Sequence, residues 1–127
     1  MNDLKEFGIP NVCFSLADEI TENDELKEKY KQQRIERGFD DSELWNLDYT
    51  IASFVLPRLK RFKELNIGYP ATLTEDSWDK ILDTMIEAFE LKVNDNDDRT
   101  LEEDKIVDKK MQEGFKLFGK YFLHLWW

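Results

Sequence analysis

Along this chain, apolar residues recur at steps of three and four between short polar breaks, a spacing that predicts four helices. The clearest stripe is Trp78, Ile81, Leu82, Met85, Ile86 and Phe89, which a helix would gather on one face. Thr74 precedes it as an N-cap, with Glu75 and Asp76 near the positive end of the helix dipole. Ile106, Val107, Met111, Phe115, Phe118, Phe122 and Leu125 predict a long last helix, opened by a Thr100/Glu103 capping box. Gly114 and Gly119 lie within it. Each costs about 1 kcal/mol relative to alanine, so their presence points to close helix contact.

Upstream, Leu44, Leu47, Ile51, Val55, Leu59 and Phe62 repeat with helical spacing, and Asp40 stands three residues before Glu43 in the manner of a capping box. Trp45, Ala52, Phe54 and Leu56 make this segment apolar on nearly every side, which predicts burial within a bundle or at a subunit contact. Pro57 removes a backbone donor and predicts a kink or break near residues 53–57. The preceding helix, about 23–37, is bounded by Asn23 and Gly38. Its apolar content (Leu26, Tyr30, Ile35) is thin, so most of it faces water.

Gly8 and Pro10 interrupt the start of the chain, and Asn11 to Leu16 reads as a short extended segment that packs on the helices or pairs with a symmetry mate. The expected architecture is all-α, about four helices in a compact bundle. An N-terminal arm covers 1–22 and a helical domain covers 23–127. Leu125-Trp126-Trp127 is too apolar for a frayed end, which predicts docking in the core or against another subunit.

Composition narrows the functions open to such a bundle. The net charge of −10 argues against direct binding of nucleic acid or anionic membrane, both of which select an excess of Lys and Arg. It suits solubility, imitation of a nucleic acid, or docking on a basic partner. One cysteine, Cys13, cannot form an internal disulfide. The absence of a basic and then apolar leader, or of a run near the ~20 apolar residues of a membrane span, predicts a cytoplasmic protein.

Catalytic and metal chemistry find little support. An EF-hand begun at Asp95 would place Arg99 at a ligand position, Thr100 where glycine belongs and Ile106 where the bidentate Glu belongs. His124 is the single histidine and has no acidic residue three before it, which excludes the Glu-x-x-His di-iron pattern. Glu25/Glu28 and Asp76/Asp79 echo the magnesium-binding pairs of all-α pyrophosphohydrolases, but they lie about 50 residues apart on the wrong elements. Cys13 has only the distant His124 as a base. The expectation is a non-enzymatic protein without a metal or cofactor.

One constellation stands out. Arg58, Lys60, Arg61 and Lys63 put four positive charges into six residues of an acidic chain. Trp45 and Tyr49 lie upstream on the same predicted helix, and Tyr69 lies in the turn that follows. Guanidinium groups grip phosphates and aromatic faces stack on bases, so these seven residues are the candidate site for a compact anionic ligand. The plainer alternative is that the cations complement the helix dipole and that Glu64 or the acidic loop neutralises them. Asp48, between Leu44 and Ile51, is either a surface residue or a partly buried carboxylate in want of a cation.

The block Leu44-Trp45-Asn46-Leu47-Asp48-Tyr49-Thr50-Ile51-Ala52, then Leu56-Pro57-Arg58-Leu59-Lys60, Trp78 to Phe89, Glu113-Gly114 to Tyr121-Phe122 and the final Trp-Trp resemble a family of small uncharacterised proteins of tailed bacteriophages and prophages. The resemblance covers about 38–127 and brings no established activity. It implies the cytoplasm of an infected bacterium and an accessory role by binding. Two roles follow by analogy with small phage proteins. One is an anti-defence sponge, a homo-oligomer that sequesters a nucleotide-like immune signal such as a cyclic nucleotide. The other is an acidic inhibitor of a host or defence protein, built as a nucleic-acid mimic with Asp76, Asp79, Asp83, Glu87 and the Asp95–Asp98 loop.

Overall fold

The computed structural model describes residues 11–95 and 98–126. Among them are α1 (Ala17–Ile20), α2 (Asp24–Arg37), a 3₁₀ turn (Asp41–Leu44), α3 (Leu47–Leu65), α4 (Glu75–Val93), α5 (Leu101–Lys120) and a second 3₁₀ turn (Phe122–His124), with no strand. The protein is all-α, and its four long helices are those the spacing predicts. The chain divides into two compact units, Met1–Phe54 and Val55–Trp127, and α3 is the element that passes from one to the other.

In the first unit, Asn23 caps α2 by accepting from the Leu26 N–H, and Gly38 ends it at φ +85°, a left-handed conformation that glycine adopts without strain. No residue of α2 is buried. The unit is ordered by a polar knot just beyond it. Asp40, fully buried, accepts from the Ser42 N–H at 2.8 Å, from the Ser15 hydroxyl at 2.5 Å, and from the Ser42 hydroxyl and the Arg34 guanidinium. Glu43 completes the capping box by accepting from the Asp40 N–H at 2.7 Å. The arm is tied to the same turn: the Phe14 N–H donates to Glu43 at 3.2 Å and the Leu16 N–H to the Ser42 hydroxyl at 2.8 Å. Residues 14–16 of the expected arm thus pack on their own chain. The backbone there is irregular and leads into α1, while residues 1–10 lie outside the described residues.

Two expectations for α3 are corrected. The capping box opens a 3₁₀ turn, and the α-helix begins only at Leu47. The helix then continues through Pro57, so of the kink or break expected near 53–57 the break does not occur. That proline leaves only the Ser53 carbonyl without its usual helical donor, and the buried Leu56 and Leu59 beside it anchor the segment. The buried side is Ala52, Leu56 and Leu59, so Leu44, Leu47 and Ile51 of the expected stripe face outward. With apolar residues all round, spacing could not select the inward face.

The second unit is built on α4, whose Trp78, Leu82, Met85, Ala88 and Phe89 are buried as the 3–4 spacing requires. Thr74 caps it reciprocally with Ser77. α5, capped by the Thr100 hydroxyl on the Glu103 N–H, lies against α4. Phe89 meets Phe115 and Phe118 edge-to-face with centroids 5.1 and 5.0 Å apart, and Trp78 meets Tyr121 likewise at 5.7 Å. Gly114, the buried residue of α5, sits over Ala88 and Thr84: a methyl group there would fall 2.6 Å from the Thr84 carbonyl oxygen. Gly119 has open space around it. Of the two glycines, only Gly114 serves close contact.

Gly114→Ala is therefore expected to destabilise the second unit by about 1–3 kcal/mol in urea denaturation, because backbone must move. Gly119→Ala is expected to stabilise by up to about 1 kcal/mol. The Asp40 knot gives a pH dependence. Burial raises the Asp40 pKa, but hydrogen bonds from Ser15, Ser42 and Arg34 outweigh it and hold the carboxyl below its usual 3.8. A depressed folded-state pKa stabilises above the unfolded value and is lost as pH falls through the folded one. Acid titration followed by circular dichroism should show the first unit loosening below about pH 3.8, and Asp40→Ala, which strands the Arg34 charge, should cost about 3 kcal/mol at neutral pH.

Candidate functional site

The basic cluster occupies the last turns of α3, in the second unit. Helical geometry puts Arg58 and Arg61 on one flank and Lys60 and Lys63 on the next. The two lysines lean on α4: Lys60 Nζ lies 2.9 Å from Glu90 Oε1, and Lys63 Nζ lies 2.5 Å from Asp83 Oδ1. Arg61 pairs with Glu64 one turn along at 2.7 Å. The Asp83 hydrogen bond, opposed by burial and helped by attraction to Asp83 and Asp79, raises the Lys63 pKa. Arg58 is exposed and also engaged in an interaction of its own. Three of the four cations therefore face carboxylates: Arg61 that of Glu64, one of the two sources the sequence suggested, and Lys60 and Lys63 those of α4.

That loop has its own cation. Arg99 binds Asp95, and its Nε lies 3.0 Å from Asp104 Oδ1. Hydrogen bonds to Asp104 and Asp95 raise the Arg99 pKa despite the opposing cost of burial. On α4, Asp83 and Glu87 of the expected acidic face are paired, with Lys63 and Lys110, the latter at 3.3 Å. Asp76 and Asp79 are exposed. Asp97 lies outside the described residues, and those described hold no group of three or more acidic, His or Cys side chains suited to a metal ion.

The aromatic members of the candidate site separate. Trp45 and Tyr49 belong to the first unit and are both exposed, Trp45 by 70%. Asp48 beside them is also exposed, and its carboxylate accepts from the Tyr49 N–H at 2.9 Å. Tyr69 belongs to the second unit, where it lines a cleft of about 290 Å³. Ile67, Gly68, Pro70 and Ala71 of the same loop line it too, together with His124 and Trp126. Asn66 shapes the loop by donating through Nδ2 to the Gly68 carbonyl at 2.6 Å, and Pro70 is buried beneath it. None of Arg58, Lys60, Arg61 or Lys63 lines this cleft.

Of the two fates expected for the chain end, docking in the core is not the one Trp126 takes: it is 73% exposed and lines the cleft, and Trp127 lies outside the described residues. His124, the single histidine, lines the cleft as well. The signal in the sequence was Tyr69 in the Gly-Pro turn and the aromatic run of the last residues, both outside the long helices. Periodicity says nothing about residues that no helix orders. No protein-family model matches the chain, and no curated protein or solved structure matches it.

Release of the lysines should be measurable. Asp83→Asn combined with Glu90→Gln is expected to lengthen retention on a phosphate-bearing resin at low salt, with little change in thermal midpoint, since partly exposed pairs contribute little to stability.

Proposed function

We propose that this chain is a non-enzymatic accessory protein, in the bacteriophage setting its sequence suggests, that acts by docking on another protein. The observation that carries this reading is the exposure of Leu44, Trp45, Leu47, Tyr49 and Ile51, each between 43% and 70%, within eight consecutive residues. Single exposed apolar residues are ordinary, but a run of five large ones marks a contact surface. Leu47 and Ile51, one turn apart, point away from the buried Ala52, Leu56 and Leu59, as the anchors of a helix laid into an apolar groove do. Trp45 supplies the kind of side chain that dominates binding energy. The net charge of −10 favours a partner with a basic rim around that groove.

Sequestration of a cyclic nucleotide is the weaker reading. Lys60, Arg61 and Lys63 already face carboxylates, so a phosphate would have to displace Glu90, Glu64 and Asp83. The aromatic cleft offers such a ligand no lysine or arginine.

The test compares the parent protein with a Leu47→Ser/Ile51→Ser variant, both exposed positions whose replacement leaves the core intact. Basic proteins retained from a bacterial lysate should fall about tenfold or more on the variant, and calorimetry with mono-, di- and cyclic nucleotides should show no binding to either form. Nucleotide binding abolished by Arg58→Ala and Arg61→Ala would overturn the reading in favour of sequestration. Light scattering that shows a parent oligomer and a monomeric variant would reassign the surface to self-association.

A further inference from the structure

Glu43 joins three parts of the first unit. Its Oε1 accepts from the Phe14 N–H of the arm at 3.2 Å, and its Oε2 accepts from the Asp40 N–H at 2.7 Å. Its carbonyl accepts from the Thr50 hydroxyl at 2.9 Å, a bond that reaches seven residues forward into the start of α3. Glu43 is 4% exposed, so water competes little for these acceptors. The Thr50 bond is unusual for a helix. A helical threonine hydroxyl ordinarily bonds the carbonyl three or four residues back, within its own helix. At Thr50 the carbonyl four back, that of Asn46, takes the Thr50 N–H at 3.0 Å, and the hydroxyl passes beyond it to the preceding turn.

The six residues enclosed by this bond, Leu44 to Tyr49, are all exposed, and four of them are large apolar members of the docking surface. Burial therefore does not hold them in place. Their shape rests on where the two ends are fixed and on a few backbone bonds, such as the Trp45 N–H to the Ser42 carbonyl at 3.4 Å. One end is the 40–43 turn, and that turn is fixed in its turn by the arm: the Ser15 hydroxyl donates to Asp40 at 2.5 Å and the Leu16 N–H to the Ser42 hydroxyl at 2.8 Å. The other end is Thr50. A contact surface that had to be ordered at the moment of docking would lose affinity for every side chain it immobilised, so a run held beforehand docks more tightly.

We infer that Thr50 and Ser15 are positioning residues for the exposed run: Thr50 closes it onto Glu43, and Ser15, through Asp40, keeps the turn that carries Glu43 attached to the arm. The shape of the docking surface then depends on the arm staying in place. This rests on the docking reading for its purpose, while its test needs no partner.

The experiment measures amide hydrogen exchange by nuclear magnetic resonance on the full chain, for the parent and for Thr50→Val, Thr50→Ser and Ser15→Ala. The reporters are the amides of positions 45 and 50, which donate to Ser42 and Asn46. Thr50→Val keeps the shape of the side chain and removes the hydroxyl. It should lower protection at both reporters about fivefold, the effect of one hydrogen bond, and Thr50→Ser should restore it. Ser15→Ala should lower protection at the same two amides by a similar factor, although neither touches Ser15. The Lys27 amide, which donates to Asn23 at the far end of α2, should keep its parent protection in every variant, and circular dichroism should show unchanged helicity. Parent-like exchange at positions 45 and 50 in Thr50→Val, or no rescue by Thr50→Ser, overturns the role of Thr50. An effect of Ser15→Ala that stops at Glu43 overturns the role of the arm. Equal loss of protection at Lys27 reduces both residues to general stability and overturns the inference as a whole. Failure of the docking test leaves these exchange rates standing, so the two readings fail separately.

Discussion

The second unit depends on how near α5 can come to α4, and Gly114 sets that distance. Thr84 and Ala88 lie where a side chain at position 114 would have to go. With that space left empty, Phe115 and Phe118 reach the buried Phe89 edge-on, and Tyr121 at the helix end reaches Trp78. The aromatic cluster is thus a consequence of one missing side chain as much as of the rings themselves. The segment that leaves α5 inherits its position from the same contact, so the cleft wall at His124 and Trp126 is placed indirectly by a glycine some ten residues earlier.

How much of this could be read in the sequence depended on whether a local rule had competitors. α4 had none: one apolar stripe, one cap, and polar residues elsewhere, so its buried face follows directly from spacing. Asn23, Gly38, Thr74 and Thr100 were legible for the same reason, since each satisfies backbone groups that only a helix end leaves open. α3 was legible as a helix and not as an orientation, because apolar residues on every side erase the moment that would point inward. The Asp40/Glu43 pair announced a helix start, but nothing local revealed that Ser15 and Arg34 also converge on Asp40, since those partners come from 25 and 6 residues away. The basic cluster was visible as charge. Which carboxylates would meet it depended on the packing of α3 on α4, a tertiary fact.

Electrostatically the chain is less simple than its net charge suggests. Lysines and arginines are outnumbered, and several of those in the second unit are held by acids: Lys60, Lys63 and Lys110 by a neighbouring helix, Arg61 by Glu64 one turn along, and Arg99 by Asp104. What remains is an excess of acidic over basic side chains, together with exposed aromatic surface at Trp45, Tyr49, Tyr69 and Trp126. Such a surface repels polyanions at long range and offers an oppositely charged protein both attraction and a place to settle.

The arm in the first unit is recognised through its main chain. Glu43 and Ser42 accept from the amides of Phe14 and Leu16, groups that any residue except proline carries in those positions. Ser15 alone contributes a side chain to the contact with Asp40. The two halves of this knot therefore face unequal freedom over evolutionary time. Positions 14 and 16 can drift widely in character while the contact persists, whereas 15, 34, 40, 42 and 43 must change together or not at all. In a set of diverging descendants the latch would remain readable long after the strap had become unrecognisable.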